Sequence, residues 1–286
     1  MSGCMPGQGV SIGSVVSCRD VAALRLAMRF WLVDAFTDSA FAGNSAGVVL
    51  LDAPADDAWM QAVAAEFKHS DTAFVHGDRL RWFTPAKEVD LCGHATLAAA
   101  HVLGGEHVFR TRSGPLVCRA ENGWVHMDFP ADPPEPATVP VERALPGVAV
   151  EFVGRGVSDV IVAVADAAEV RAVQPDLAVV STWDARGLVV TAPGDRPGID
   201  MVSRAFYPAF GLPEDPVTGS AHCTLAPYWA ARLGRNELVG EQASERGGIV
   251  RMHLRGDRVD LAGQAVIVAS GELTAVTTRG RNPMIG

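Results

Sequence analysis

Three polar residues, Asp71, His94 and Asp215, stand where acid–base chemistry is possible. Asp71 leads into an apolar run that is typical of a strand. Burial there could raise the pKa of its carboxyl group toward neutral pH, as a general base requires. His94 lies in the first turn of an apolar helical stretch, and Asp215 lies in a turn just before another. Taken singly, each is more typical of a structural role as connector, hydrogen-bond donor or turn residue.

Both apolar helices begin in a similar phrase, residues 83–95 and residues 206–221. A helix N-terminus offers free backbone N–H groups and a partial positive charge, which suit a carboxylate or an enolate. The alternative is ordinary capping, in which Ser220 and the glycines simply satisfy the helix ends. The repetition favours the functional interpretation and predicts two similar halves that face each other across a cleft. With three residues inserted in the second copy, the matching positions are Phe83, Pro85, Ala86, Glu88, Gly93 and Ala95 with Phe206, Pro208, Ala209, Glu214, Gly219 and Ala221.

The composition excludes several classes of protein. With 286 residues, 48% hydrophobic and 20% charged, the chain is typical of a soluble globular protein of one large or two ordinary domains. A net charge of −9 argues against a nucleic-acid surface, and no apolar run reaches the roughly 18 residues of a membrane span. The five cysteines are odd in number without a CxxC pair, which predicts a reduced, cytoplasmic protein.

No cofactor or metal is expected from the motifs. There is no GxGxxG or GxxxxGK[ST] phrase, and the eight histidines show neither HxxxH nor HxH spacing. A metal enzyme is therefore the least favoured class.

Each half is predicted to contain many short strands around one apolar helix, Gly93–Leu103 in the first and residues 219–233 in the second. This pattern predicts an α+β fold of two pseudo-symmetric, barrel-like, mostly antiparallel domains rather than a doubly wound parallel sheet. Late strands are expected at Gln264–Val268 and Glu272–Thr278.

The predicted domain boundaries follow the prolines. Residues 29–130 form the N-terminal domain, the proline-rich residues 131–147 a linker, and residues 148–270 the C-terminal domain. A strand near residues 271–280 is expected to return to the first domain. Residues 1–28 are interpreted as a disordered extension, or as sequence upstream of a true start at Met28.

Five motifs in order give the chain a strong resemblance to the PhzF-like isomerase family, named for its phenazine-biosynthesis member. The resemblance covers about residue 29 to the end. The motifs are Val33-Asp34-Ala35-Phe36-Thr37, Phe41-Ala42-Gly43-Asn44, Ser70-Asp71-Thr72-Ala73-Phe74-Val75, Leu91-Cys92-Gly93-His94-Ala95-Thr96 and Glu214-Asp215-Pro216-Val217-Thr218-Gly219-Ser220-Ala221.

The resemblance implies the two-domain fold also seen in diaminopimelate epimerase, and a cofactor-independent isomerase that acts as a homodimer on a small carboxylic acid. In the phenazine enzyme a carboxylate at the position of Asp71 shuttles a proton between carbons of a cyclic dienol acid. His94 and Asp215 match assisting polar residues. Gly93, Gly219 and Ser220 match substrate-contacting positions.

Two residues depart from the family pattern. Asp71 replaces the more usual Glu and is one methylene shorter, which moves the carboxylate by about an ångström and can cost on the order of 10²-fold in rate. The activity is therefore not expected to be phenazine synthesis itself. Ser45 stands where an Asn-Pro pair is common, a smaller difference.

Two other functions remain open from the sequence. One is a racemase or epimerase on the same fold, which would use a thiol from each half. Cys92-Gly93 is present, but the second turn has Thr218-Gly219, and a hydroxyl is too weak an acid to replace a thiolate. Cys92 is then expected to be a buried packing residue. The other is a non-catalytic binding protein, which the joint presence of Asp71, His94 and Asp215 argues against.

Overall fold

The computed structural model describes residues 28–274, so the predicted extension lies, apart from Met28, outside the described residues. The first half contains β1 (Met28–Ala35), β2 (Asn44–Leu50), β3 (Asp71–His76), β4 (Arg79–Phe83), β5 (Glu88–Val89), β6 (Gly105–Thr111), β7 (Gly114–Glu121), β8 (Trp124–Pro130) and β9 (Glu135–Pro136). The second half contains β10 (Val150–Arg155), β11 (Asp159–Val164), β12 (Gly187–Pro193), β13 (Met201–Tyr207), β14 (Leu212–Asp215), β15 (Glu237–Gln242), β16 (Gly248–Arg255), β17 (Arg258–Gly263) and β18 (Ala265–Leu273). The helices are α1 (Asp57–Phe67), α2 (Gly93–Leu103), α3 (Val141–Ala144), α4 (Ala167–Ala172), α5 (Leu177–Val180) and α6 (Gly219–Leu233).

The two halves repeat one pairing pattern, strand for strand. In the first, β1 pairs antiparallel with β2, β2 parallel with β3, β3 antiparallel with β4, and β4 parallel with β6. The strands β10, β11, β12, β13 and β15 repeat these four relations in the second half. The predicted α+β class with two pseudo-symmetric, mostly antiparallel halves is confirmed.

The sheet does not close into two separate barrels, because the halves share strands. β8 pairs with β17, so one sheet continues from the first half into the second. β9 leaves the first half to pair with β10, and β18 returns from the second half to pair with β1.

One strand prediction is wrong. The two expected late strands, at Gln264–Val268 and Glu272–Thr278, are the single strand β18, and residues beyond 274 lie outside the described range. The small and polar residues 269–271 interrupt the apolar pattern and resemble a break. Pairing with β1 along its whole length, with one register shift at Leu32/Val33, holds the strand together regardless of local propensity.

The two long inner helices enter the same core. In α2 every residue from His94 to Ala100 is buried, and α6 is buried from Ala221 to Ala226. Both helices contribute side chains to one hydrophobic cluster that draws on both halves. Other helices cover the opposite faces: α1 packs over β3 and β4, and α4 over β12 and β13. The segment predicted as a linker contains β9 and α3.

No helix within residues 28–274 has the length and apolarity needed to cross a bilayer.

Candidate active site

The two copies of the repeated sequence motif, residues 83–95 and 206–221, also have similar structures. Arg81 binds Glu88 through two hydrogen bonds of 2.7 Å and lies over the ring of Phe83. In the second copy Arg204 binds Glu214 in the same way, at 2.7 and 2.8 Å, and lies over Phe206. Each bracket of Arg, aromatic ring and Glu holds a strand end against the loop that leads to a helix.

The strand register agrees with the sequence alignment of the two copies. Val89 pairs with Trp82, and Asp215 pairs with Ala205, the residue just before the aromatic ring in each copy. Asp215 therefore occupies the place that Val89 takes in the first half. The second half has gained a carboxylate at a position that is apolar in the first.

The two helix starts approach each other closely. A Cβ added to Gly93 would lie 3.4 Å from Cα of Gly219. Neither the N-cap of α2, Cys92, nor that of α6, Thr218, forms a side-chain capping bond. Capping by Ser220 and the glycines stays an alternative. The prediction that the first-turn N–H groups, including that of Ser220, bind an anion rests on the general properties of helix N-termini.

Asp71 is the first residue of β3 and is largely buried, with its side chain 14% exposed. Burial raises the pKa of its carboxyl group to about 7. The Cys92 thiol partly opposes that shift, and the nearby carboxylate of Asp215 adds to it. Among the described residues, Oδ1 of Asp71 has no hydrogen-bond partner. A carboxyl group with these properties can accept and release a proton near neutral pH.

His94 faces Asp71 as a neutral imidazole. Its Nε2 lies 3.7 Å from Oδ2 of Asp71, which is too long for a hydrogen bond. Burial lowers the pKa of His94 to about 3, so the two side chains do not form an ion pair at neutral pH.

Cys92 is buried as expected, but its thiol also borders the site. Its Sγ lies 3.5 Å from Nδ1 of His94. Burial, together with the negative charge of Asp71, raises the pKa of Cys92 well above its ordinary value. The thiol is therefore protonated at neutral pH, unlike the thiolate that a two-thiol racemase needs.

Asp215 is buried at the end of β14, and burial raises the pKa of its carboxyl group to about 6. Two donors moderate this shift: the Thr218 hydroxyl at 2.5 Å and the Asn44 amide at 2.8 Å. Gln242 fixes the turn because its amide donates to the carbonyl of Asp215 and accepts from the backbone N–H of Thr218. Asn44 reaches Asp215 from the first half of the chain, so both halves build the site.

The second half has no counterpart of Asp71. By strand correspondence, the equivalent of Asp71 is Gly187, the first residue of β12. A Cβ there would lie 2.3 Å from the ring of Tyr207, so no side chain fits. The acid on the neighbouring strand, Asp159, is buried and bound by Arg186. The geometry thus provides one carboxyl group of the Asp71 type and not a symmetric pair.

The structure brings together five of the six residues predicted for the site. Asp71 and His94 face each other, Asp215 is close enough to raise the pKa of Asp71, and Gly93 approaches Gly219 closely. The sixth residue, Ser220, is placed only by its position next to Gly219 in the first turn of α6. Two surface grooves of about 400 and 430 Å³, on the outer face of the sheet formed by β8, β16 and β17, are lined by none of these six.

Sequence reasoning missed three residues of the site. The sequence marks Asn44 only as the last residue of the motif Phe41-Ala42-Gly43-Asn44, and Thr218 only by the absence of a thiol. Gln242 belongs to no motif and is 27 residues from Asp215. The available signal was position: Asn44 ends one of the five ordered motifs and Thr218 lies inside another. Nothing local marks Gln242.

Comparisons with known proteins agree on one family. The family model described as "Phenazine biosynthesis-like protein" matches residues 33–271. An uncharacterized isomerase of Halalkalibacterium halodurans is 43% identical over 257 residues, which is 85% of this chain and 97% of that protein. An uncharacterized isomerase of Pseudomonas aeruginosa is 47% identical, over 86% and 98%. The crystal structure of a PhzF-family protein from Enterococcus faecalis superposes with a TM-score of 0.83 at 38% identity, covering 87% and 100%.

Proposed function

The chain belongs to the phenazine biosynthesis-like protein family and is an isomerase, and on that premise we propose that it moves a proton within a small, cyclic carboxylic acid without a cofactor. Asp71 is the acid/base group in this proposal. The observation that carries it is a single buried carboxyl group with a pKa of about 7 beside two helix starts that approach each other closely.

In the proposed reaction, one carboxyl group both removes a proton from the substrate and returns a proton to it. Ionised Asp71 takes a proton from a carbon next to a double bond of the substrate, and the electron pair left behind spreads over the conjugated system. The protonated Asp71, whose carboxyl proton exchanges with solvent, then returns a proton to another carbon of that system. The sum is an isomerisation that requires no oxidant and no net proton.

The rest of the site stabilises the intermediate anion in this proposal. The substrate carboxylate lies at the first-turn N–H groups of α2 and α6, at Gly93 and at Gly219–Ser220, where the helix dipoles favour negative charge. Neutral His94 donates or accepts a hydrogen bond without adding charge. Asp215, with a pKa of about 6, orients the substrate or relays a proton.

Replacing Asp71 tests the proposal. Substrate candidates are hydroxyanthranilate-like acids incubated in D₂O, and deuterium incorporation is followed by NMR. We expect Asp71→Asn to lower the exchange rate by about 10²- to 10⁴-fold, the usual contribution of a general acid/base. The matched control is Asp78→Asn, an exposed carboxylate at the other end of the same strand pair. Full exchange activity in Asp71→Asn, with loss in Cys92→Ser, would overturn the proposal.

A further inference from the structure

The side chains of Asp71, Cys92 and His94 combine three different metal-binding donors in one small volume. One ligand atom from each, a carboxylate oxygen, a thiol sulfur and an imidazole nitrogen, lies within 4.8 Å of the other two. The donors come from the start of β3 and the start of α2, two rigid elements of the core. No HxxxH or CxxC spacing signals this group, because folding rather than sequence spacing joins Asp71 to the other two.

The distances fit a tetrahedral zinc site. With Zn–S near 2.3 Å and Zn–N or Zn–O near 2.0–2.1 Å, tetrahedral ligands lie about 3.3–3.6 Å apart. Cys92 Sγ is 3.9 Å from His94 Nε2, and that nitrogen is 3.7 Å from Asp71 Oδ2. The sulfur lies closer to Nδ1 of His94, at 3.5 Å, and the carboxylate and the thiol are known only to lie within 4.8 Å of each other. Closing the site therefore requires side-chain rotation with shifts of up to about an ångström. A fourth position would be taken by water.

The surroundings of the donors also suit a cation. Asp71 is largely buried, and among the described residues its Oδ1 has no hydrogen-bond partner. A bound cation would compensate a negative charge that the site otherwise destabilises by burial. The mixture of sulfur, nitrogen and oxygen donors favours Zn²⁺ over Mg²⁺ or Ca²⁺, which prefer oxygen alone.

We propose that Asp71, Cys92 and His94 form an inhibitory binding site for a thiophilic divalent cation of the Zn²⁺ type. Binding exchanges the thiol proton for the metal: hydrated Zn²⁺ and the Cys92 thiol give a Zn–thiolate bond and one proton released to solvent. The bound metal then blocks the Asp71 carboxylate that the proposed isomerisation needs, so the inhibition rests on the proposed function. The affinity of the site for Zn²⁺ does not depend on that function.

Zn²⁺ binding is therefore measured first, independently of activity. Isothermal titration of the full chain with ZnCl₂, in two buffers of different protonation enthalpy, gives affinity and proton release. At about pH 8, where Asp71 is mostly ionised, we expect one site with release of about one proton, and at least about 100-fold weaker binding at that site in Cys92→Ser and in His94→Gln. The matched control is Cys118→Ala, which removes another buried thiol, on β7, and should bind as the wild type does.

Co²⁺ supplies a second measurement. A thiolate-to-Co²⁺ charge-transfer band should appear in the wild type and in Cys118→Ala and be missing in Cys92→Ser. Wild-type affinity in Cys92→Ser, or absence of the band in the wild type, would overturn the site. The inhibitory role is wrong if Zn²⁺ binds at this site without slowing the deuterium exchange, or if a chelator that removes the Zn²⁺ does not restore the exchange. If no isomerase activity is found, the proposed function fails while the calorimetry still decides the site.

Discussion

At the scale of the residue, burial determines the chemistry of the site more than direct partners do. It is the largest cause of the raised pKa of Asp71 and Asp215 and of the lowered pKa of His94. The result at neutral pH is a neutral imidazole, a protonated thiol at Cys92 and two carboxyl groups poised near their transitions. Both carboxyl groups can therefore gain or lose a proton near neutral pH, as proton transfer requires.

The pH dependence of the reaction follows from the pKa of Asp71. As the base, Asp71 must be ionised, so kcat/KM should rise with pH and level off above an apparent pKa of about 7. Because Asp71 and Asp215 influence each other, the profile reports the pair. Asp215→Asn removes a negative charge that raises the pKa of Asp71, so its rising limb should move to lower pH. A limb that moves to higher pH in Asp215→Asn would contradict this electrostatic account.

At the scale of the element, the unit of construction is a strand, a loop and a helix held by an Arg–Glu bracket. Arg204 and Glu214 are 11% and 25% exposed, and Arg204 also donates to the carbonyls of Val170, Arg171 and Val173 near the end of α4. In the first half, Glu88 keeps a second partner, Arg112, at 3.0 Å if Arg81 is lost. The two brackets have the same geometry, but removing the arginine of the second bracket breaks more interactions.

This asymmetry predicts different costs of the same substitution. Arg204→Met leaves Glu214 without its bidentate partner and should lower the free energy of unfolding by about 2–4 kcal/mol. Arg81→Met, the matched control, should cost about 1 kcal/mol or somewhat more, because Arg112 remains. Urea denaturation measures both. Within residues 28–274, Glu214 has no second partner like the Arg112 of Glu88. Because Glu214 also precedes Asp215, only Arg204→Met should reduce kcat/KM as well. Equal effects of the two variants would show that the brackets are equivalent.

The sequence predicts these elements well where periodicity is strong and less well where pairing decides. The predicted bounds of α2 and α6 agree with the structure, because both helices have long apolar runs between a glycine-led start and a distinct end. The predicted break within β18 is wrong because pairing with β1 is not visible locally. Asp71 and His94 come from short motifs, whereas the role of Gln242 depends on a contact across 27 residues.

At the scale of the whole molecule, the site exists only where the two halves meet. Asn44 reaches Asp215 across 171 positions of sequence. Arg246 of the second half bonds to Asp34 at 2.7 Å and to the carbonyls of Ala42 and Gly43, all in the first half. This second cross-connection holds the loop that ends at Asn44. The motif Phe41-Ala42-Gly43-Asn44 thus forms a contact between the two halves.

Loss of Arg246 should therefore affect stability and the site together. Asp34 is only 4% exposed at its side chain, so Arg246→Met leaves a buried carboxylate without its cationic partner. We expect the free energy of unfolding to fall by about 3–5 kcal/mol, as when one partner of a buried ion pair is removed. Urea denaturation measures this change. The matched control is Arg255→Met: that arginine is half exposed and pairs with Asp128, so the cost should be below about 1 kcal/mol.

The double variant Asp34→Asn/Arg246→Met separates the charge from the connection. Removing both partners eliminates the unpaired buried charge, so much of the lost stability should return. The loop that ends at Asn44 would still lack its link to the second half, so kcat/KM should stay low although the protein is stable. Recovery of both stability and kcat/KM would mean that the arginine only balances charge. Recovery of stability alone would show that the contact between the halves positions Asn44 against Asp215.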